Sequence, residues 1–270
     1  MDYKLPKLPI REQNSNKGTF GKILNIAGSK YMPGAAYLSS VSALKIGAGY
    51  VELISDENVL NSVAAKSAEI VLAPEEKLSE LIPQATVIEI GCGLSPDNED
   101  IFNKTLELRT NQPMIIDADG LNILSKMNYK FDENVILTPH PKEASRLLGC
   151  TLEDVLKNIE ISAKKISEKY NCITVLKTHK TVAVSPKGEV YQNNTGCSAL
   201  AKAGSGDVLC GMIAGLLVQK MSPFEAAILG VYLHGLTGEI AAKELSEYSP
   251  LASDLINYIP YAIKHFIRNN

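Results

Sequence analysis

A glycine-rich turn in the last third of the chain carries the pattern with the most definite chemistry. Gly204, Ser205 and Gly206 run directly into an apolar helical pattern whose first acidic residue is Asp207. The free N–H groups and the dipole of a helix N-terminus attract anions, so such a turn is typical of a phosphate site. A carboxylate there would repel phosphate unless it serves as a general base on an incoming hydroxyl. The pattern therefore predicts an anion hole at residues 204–206 with Asp207 as its base.

A purely structural interpretation of the same turn stays open. Asp207 would then be a helix N-cap, and the glycines would allow close packing between helices. Two better-known phosphate motifs are excluded by the sequence. The P-loop pattern G-x-x-x-x-G-K-[ST] does not occur, and the glycine pairs at positions 47/49 and 91/93 lack the third glycine of a dinucleotide fingerprint.

Small or constrained residues follow several apolar runs of the chain. The segment from Gly28 to Ala36 and the turn at Gly93 would let a ligand approach the backbone at the carboxyl edge of a sheet. His140 stands between two prolines, which fix its backbone where the ring could donate to a polar ligand or stack on it. The basic loop 177–181 joins two strand-like runs and could meet nucleotide phosphate or sugar. An ordinary turn, a structural histidine and a solvated loop remain the alternatives at these places.

The elements that must position these residues alternate between strands and helices. Strands are predicted at 23–27, 50–55, 86–90, 113–117, 135–138 and 173–177, followed by a hairpin of 181–185 and 189–192 around a Pro-Lys-Gly turn. Helices are predicted at 34–47, 97–108, 141–148 and 152–170, the last opened by a Thr151–Asp154 capping box. Three more are predicted at 207–220, 223–245 and 252–268. This alternation indicates an α/β fold with a mostly parallel central sheet, helices on both faces and a helical C-terminal third.

Composition narrows the class of protein. The 270 residues carry 27 Lys and Arg against 30 Asp and Glu, so a basic nucleic-acid surface and a polybasic membrane patch are not expected. No stretch is long and apolar enough for a signal peptide or a membrane span. The five cysteines include no C-x-x-C pair, and scattered free thiols are typical of the cytoplasm.

Six ordered segments of the sequence resemble the ADP/ATP-dependent NAD(P)H-hydrate dehydratases, a carbohydrate-kinase-like family with a ribokinase-like fold. They cover about residues 17 to 235 and are KGTFGKILNIAGSKYMPGAA, IGCGLS, IDADGLNIL, LTPHPKE, VLKTHKTVAV and NTGCSALAKAGSGDVLCGMIAG. The resemblance implies nicotinamide nucleotide repair. ADP, or ATP in some members, would phosphorylate the ring hydroxyl of the S form of NAD(P)H hydrate with Mg²⁺ present. Elimination of phosphate would then return NAD(P)H, and ADP would leave as AMP.

Site residues follow from the resemblance by motif position. It implies that Asp207 is the base and a substrate contact, and that Gly206 belongs to the anion hole and contacts the nucleotide. Substrate contacts are implied at Ala36, Gly93 and His140. Nucleotide contacts are implied throughout the basic loop, at Lys177, Thr178, His179, Lys180 and Thr181. The resemblance identifies no metal ligands.

The chain departs from the family pattern at several positions. Thr178 stands where the family usually has glycine, and it would be strained if that position needs a positive φ. Cys92 replaces a proline, and Lys142 and Ala203 replace glycines. Ser205 replaces a threonine and keeps the hydroxyl. None of these changes removes a proposed chemical group.

The sequence also gives predictions about domain organisation and oligomeric state, and it leaves two alternative functions. Only about 20 residues precede the first motif, so we expect a single domain over residues 1–270 without the N-terminal epimerase domain of many bacterial relatives. An epimerase would then be a separate chain, and the resemblance implies a homotetramer. Two other functions stay open: a kinase of the same fold acting on a small vitamin-precursor alcohol, and a nucleotide sensor that has lost catalysis. Asp207 argues against the sensor, because binding alone needs no base there.

Overall fold

The central feature of the computed structural model, which describes residues 4–269, is one nine-stranded sheet. Its strands in chain order are β1 (Lys22–Ile26), β2 (Tyr50–Ser55), β3 (Val71–Pro74), β4 (Val87–Ile90), β5 (Met114–Ile116), β6 (Val135–Leu137), β7 (Ile173–Leu176), β8 (Val182–Val184) and β9 (Val190–Gln192). Across the sheet the order is β3-β2-β1-β4-β5-β6-β7-β8-β9. All pairs from β3 to β7 are parallel, and the two last pairs are antiparallel.

Helices cover both faces of this sheet. They are α1 (Pro33–Ile46), α2 (Glu57–Ala64), α3 (Leu78–Leu81), α4 (Glu99–Leu108), α5 (Ala118–Leu124), α6 (Pro141–Leu148), α7 (Leu152–Lys157), α8 (Ile159–Tyr170), α9 (Ser205–Leu217), α10 (Pro223–Leu245) and α11 (Ala252–Asn269). One buried core lies between the sheet and α1, α2, α9, α10 and α11. The other lies beneath α3 to α8. Two apolar layers explain why the central strands are buried along their whole length.

The predicted fold class is confirmed: the sheet is mostly parallel, helices lie on both faces and the last third is helical. Eight strands lie where the sequence predicts them, and β3 was missed because it is a short strand at the sheet edge with exposed Val71. The single helix predicted at 152–170 is wrong. Asn158 leaves the helical region, with φ −152° and ψ 91°, and its side chain caps α8 by accepting from Ile161 N. The predicted Thr151–Asp154 capping box is present at α7.

The strand order reverses beside β1, whose two neighbours β2 and β4 lead to opposite edges of the sheet. Open parallel sheets bind ligands at such a switch point, outside the carboxyl ends of the strands. The loops after β1 and β4 meet there, because Gly28 N donates to Cys92 O over 2.8 Å. None of the helices within residues 4–269 combines the length and apolar character that a membrane crossing would require.

Candidate functional site

The glycine-rich turn forms the N-terminus of α9. Gly204 is the N-cap with φ 89°, a left-handed conformation that favours glycine. Ser205, Gly206 and Asp207 form the first helical turn, so Asp207 is not the N-cap that the structural interpretation proposed. The close-packing part of that interpretation applies to other glycines. A Cβ added to Gly211 would lie 2.0 Å from Ser39 O, whereas one added to Gly206 would meet nothing nearer than 3.5 Å.

The Asp207 carboxyl has the environment of a group that exchanges a proton near neutral pH. Burial raises its pKa to about 6, and the charge of Asp117 acts in the same direction. A hydrogen bond from Cys92 and the charge of Lys177 oppose that rise. With this pKa the carboxylate is about nine-tenths ionised at pH 7. Asp207 is therefore basic enough to accept a proton and already ionised to do so.

A buried ion pair lies directly beside the turn. Lys177 Nζ is 2.6 Å from Asp117 Oδ1, and the Asp117 side chain is only 2 % exposed. Burial lowers the pKa of Lys177, but the charges of Asp117 and Glu143 outweigh it and raise the pKa above its usual value. A Cβ on Gly206 would lie 3.5 Å from Lys177 Nζ. The ammonium group therefore stands next to the helix N-terminus and adds positive charge where an anion would bind.

A cavity of about 850 Å³ opens against this turn. Four residues of the predicted nucleotide loop line it, Lys177, Thr178, His179 and Thr181. His140, Ser205 and Gly206 line it as well. Lys180 instead lines an adjoining cavity of about 370 Å³, which it shares with His179. The structure therefore places the predicted nucleotide loop and the predicted anion hole around one space large enough for a nucleotide-sized ligand.

The two ring nitrogens of His140 have different roles, one inside the fold and one at its surface. It is the N-cap of α6, where its Nδ1 accepts from Lys142 N at 3.0 Å and from Glu143 N at 3.2 Å. Because Nδ1 accepts, the proton of the neutral ring is on Nε2, which lies 3.4 Å from Glu143 Oε1. Burial and the charge of Lys177 lower the pKa of His140, so the ring is neutral at pH 7. Its half-exposed Nε2–H is the group that could donate to a ligand.

The other two predicted substrate positions lie close together, Ala36 in the first turns of α1 and Gly93 in the turn after β4. Ala36 and Gly93 are buried and do not line the large cavity. A Cβ on Gly93 would lie 2.7 Å from Ala35 Cβ, so this turn packs directly on the start of α1. Since Cys92 acts on the pKa of Asp207, the 91–93 turn lies near the candidate base. Asp207 thus follows Gly206, which lines the large cavity, and it lies near the 91–93 turn at the β1/β4 switch point.

Two residues of this site were missed by the sequence analysis. Asp117 follows β5 and caps α5, and a carboxylate directly after a buried strand was a usable signal. His234 lies in the middle of α10, where its Nε2 is 3.1 Å from Ser205 Oγ. Burial lowers the pKa of His234 to about 4, so it is neutral at pH 7. No local pattern marks His234, because only tertiary packing brings it to the α9 N-terminus.

The departures from the family pattern are accommodated. Thr178 is not among the residues with positive φ, so it is free of the strain that a left-handed glycine position would impose. Lys142 lies in the first turn of α6 with an exposed side chain. Cys92 is fully buried between the 91–93 turn and α9, where it contacts Cys210.

Comparison with known proteins gives one consistent family. A family model described as NAD(P)H-hydrate dehydratase matches residues 23–261. The ADP-dependent (S)-NAD(P)H-hydrate dehydratase of Bacillus subtilis is 36% identical, over 96% of this chain and 95% of its own. The bifunctional NAD(P)H-hydrate repair enzyme Nnr of Moorella thermoacetica is 38% identical over 96% of this chain, and this chain spans about half of that relative, 52%.

Comparison of the fold with solved structures indicates the same family. A crystal structure of the B. subtilis ADP/ATP-dependent NAD(P)H-hydrate dehydratase, co-crystallised with ATP and Mg²⁺, superposes with a TM-score of 0.87. It is 34% identical, and the match covers 96% of this chain and 94% of that one.

Proposed function

This chain belongs to the NAD(P)H-hydrate dehydratase family, and from that membership we propose that it is an ADP-dependent (S)-NAD(P)H-hydrate dehydratase. It would repair the hydrated nicotinamide ring by phosphorylating the ring hydroxyl and eliminating phosphate. One observation carries the proposal: Asp207, with its pKa raised to about 6, lies in the first turn of α9 beside a cavity lined by the 177–181 loop. A base and a phosphate-binding turn are thus adjacent, as phosphoryl transfer to a hydroxyl requires.

In the first step the ring hydroxyl oxygen attacks the terminal phosphorus of ADP. Asp207 accepts the hydroxyl proton, the new O–P bond forms and the bond to the departing AMP breaks. Negative charge accumulates on the transferred group, and the amides of Gly204 and Gly206 together with Lys177 Nζ would stabilise it. The amide of Ser205, also predicted for the anion hole, instead donates to Lys202 O over 3.2 Å. Ser205 Oγ is oriented for this by His234, which is neutral and holds it over 3.1 Å.

In the second step the C–O bond to phosphate breaks, and a neighbouring ring carbon gives up its proton to the departing phosphate. The electron pair of that C–H bond forms the double bond that restores the dihydronicotinamide. Phosphate leaves far more readily than hydroxide, so the first step makes the second possible. The net products are NAD(P)H, AMP and phosphate.

The two ligands occupy opposite sides of Asp207 in this proposal. The adenine nucleotide binds along residues 177–181 and places its terminal phosphate at Gly206. The hydrate approaches from the switch point, where Ala36 and Gly93 would contact it, and it would extend past Asp207 to the Nε2–H of His140, which lines the large cavity.

Magnesium enters this proposal with the nucleotide. Mg²⁺ is usually held by phosphate oxygens, water and one or two carboxylates rather than by a full protein cage. Asp117 and Glu143, whose charges both act on Lys177, are the carboxylates that would complete its shell. The ion would neutralise phosphate charge during transfer.

A recovery assay tests the proposed function. Purified protein, the S hydrate and Mg²⁺ are mixed with ADP or ATP in separate cuvettes, and the absorbance of reduced nicotinamide is followed. ADP should restore it with one AMP formed per NAD(P)H. A stable phosphorylated vitamin alcohol without NAD(P)H recovery would instead establish the kinase alternative. Nucleotide binding without either product would establish the sensor.

The location, the oligomeric state and the partner of the protein are predictions. We expect a cytoplasmic homotetramer that cooperates with an epimerase activity. The predicted single domain spans residues 1–270, of which residues 1–3 and 270 lie outside the described part of the chain. Sedimentation of the purified protein tests the tetramer.

A further inference from the structure

Glu89, on the inner strand β4, carries a buried carboxyl that the proposed reaction does not use. Its side chain is 0 % exposed, and neither of its oxygens has a hydrogen-bond partner. The thiols of Cys92 and Cys210 come within 4.8 Å of one of these oxygens. The Cys210 thiol and burial raise the pKa of Cys92, and burial raises the pKa of Cys210, so both thiols are neutral at pH 7. They therefore supply no charge that could balance an ionised carboxylate.

Asn25, on the neighbouring strand β1, directs a buried acceptor to the same region. It is fully buried and pairs in register with Glu89, and neighbouring strands lie about 4.8 Å apart. Asn25 Nδ2 donates to Ser39 Oγ over 2.8 Å and to Ser40 Oγ over 2.9 Å, which uses both amide protons. Ser39 Oγ in turn donates to Ala36 O, so it accepts from Asn25. Asn25 Oδ1 is thus an acceptor without a hydrogen-bond partner.

A proton on Glu89 would satisfy both residues. An ionised carboxylate only accepts hydrogen bonds, so it could not pair with the Oδ1 of Asn25. A protonated carboxyl carries one O–H donor, and a single hydrogen bond to Asn25 Oδ1 gives each side chain a partner. Leaving buried acceptors unpaired is costly, and it costs most when one of them is charged. The hydrogen-bond pattern therefore favours the neutral acid.

The groups that face Glu89 favour the same form. Burial is the largest influence and raises the pKa of Glu89 to about 8. The negative charges of Asp207 on α9 and of Asp117 after β5 act in the same direction, while hydrogen bonding by Cys210 and by Ser39 of α1 opposes them. With this pKa about nine-tenths of the carboxyl is protonated at pH 7.

We propose that Glu89 is a protonated acid at neutral pH, that it donates to Asn25 Oδ1, and that its neutrality keeps the α9 N-terminus able to bind phosphate. Cys210 lies one turn after Asp207 on α9 and next to Glu89, so a charge on Glu89 would stand close beneath that helix start. A negative charge there opposes the positive potential that stabilises the transferred group. Glu89 is accordingly a positioning residue. The effect on turnover rests on the proposed function, whereas the protonation does not.

Infrared spectroscopy tests the protonation without any substrate. Wild-type protein at pH 7.5 should show the carbonyl stretch of a protonated carboxyl that Glu89→Gln lacks, and most of this band should disappear by pH 9. Glu52→Gln is the matched control, because Glu52 is also buried on an inner strand but pairs with Lys22, and it should keep the band. Absence of the band from wild type, or its full retention in Glu89→Gln, overturns the proposal.

Asn25→Leu tests the acceptor. The variant removes Oδ1 at similar side-chain volume, so the carbonyl band of Glu89 should remain but change its frequency as the hydrogen bond is lost. An unshifted band would assign the proton to another acceptor and contradict the pairing of the two strands' side chains. Circular dichroism checks the folding of each variant, and the pH titration of the wild-type band decides if a variant does not fold.

Stability and turnover test the consequences. Between pH 4.5 and 8 the unfolded chain releases the Glu89 proton and the folded chain keeps it, so the stability of wild type falls as pH rises. The Tm of Glu89→Gln should exceed that of wild type by a margin that grows over this range. A margin independent of pH would contradict the protonation.

The recovery assay separates this inference from the proposed function. Wild-type kcat/KM should fall about tenfold between pH 7 and 9 as Glu89 ionises. Glu89→Gln should remove that fall and keep the fall between pH 7 and 5 that belongs to Asp207. Identical alkaline profiles of the two folded proteins would refute the positioning role. A protein that shows the infrared band but recovers no NAD(P)H would refute the proposed function and leave the protonation standing.

Discussion

Asp207→Asn should make the protein both slower and more stable, and the two effects have one cause. In the wild-type chain, burial and the charge of Asp117 raise the pKa of Asp207 from 3.8 to about 6. The unfolded chain therefore releases this proton at lower pH than the folded chain does, and folding stability falls as pH rises from about 4 to 6. Above pH 6 the penalty is complete. At about 1.4 kcal/mol per pKa unit it amounts to at most about 3 kcal/mol.

The asparagine variant cannot ionise and so avoids that penalty. Its gain in unfolding free energy should be near zero at pH 4, grow to pH 6 and stay constant above, with each kcal/mol raising Tm by about 2–4 °C. Turnover should fall about 10²–10⁴-fold because the base is lost, while ADP binding is retained. In the wild-type enzyme, kcat/KM should fall about tenfold between pH 7 and pH 5 as Asp207 takes up its proton.

Thermal unfolding across this pH range and the recovery assay measure both effects. Asp254→Asn is a matched control, because Asp254 also occupies the first turn of its helix but accepts from Leu251 N at the surface. That control should keep full activity and gain no stability. Turnover of Asp207→Asn within tenfold of wild type, or a stability change that does not depend on pH, would refute the reasoning.

Three further changes test the surroundings of the turn. Gly206→Ala, whose Cβ would stand 3.5 Å from Lys177 Nζ, should weaken ADP binding at least about tenfold by calorimetry. The control Gly34→Ala has open space at its Cβ and should leave the affinity unchanged. Equal affinities of the two variants would place the phosphate elsewhere. Lys177→Met should lower the unfolding free energy in urea by about 3–5 kcal/mol, because it leaves Asp117 buried and unpaired. Adding Asp117→Asn should restore most of that stability but not the activity. A double variant as unstable as Lys177→Met would contradict the ion-pair argument. His234→Gln should lose less stability than wild type between pH 6.5 and 4. Burial lowers the pKa of His234 to about 4, so in this range the unfolded wild-type chain takes up a proton that the folded chain does not. Identical stability–pH profiles of the two proteins would contradict this.

Local sequence determined the glycine-rich turn at the start of α9, because the backbone conformation of such a turn depends on its own residues. A glycine with positive φ followed by a helix start exposes N–H groups whatever the rest of the chain does, so Gly204 to Asp207 could be recognised from sequence. Strand ends were also predictable, since buried parallel strands are short apolar runs with small or polar residues after them. The family resemblance extended the prediction to His140 and the 177–181 loop, which the structure places around one cavity.

Tertiary structure alone decided the electrostatics of the site. Lys177 and Asp117 are sixty positions apart, and Ser205 and His234 are twenty-nine apart, so only packing brings each pair together. The raised pKa of Asp207 and the unpartnered oxygens of Glu89 follow from exclusion of water, which depends on every element that covers them. Desolvation and the charges of nearby groups depend on which residues meet in the folded chain and not on their spacing in the sequence. No sequence pattern could therefore have predicted them.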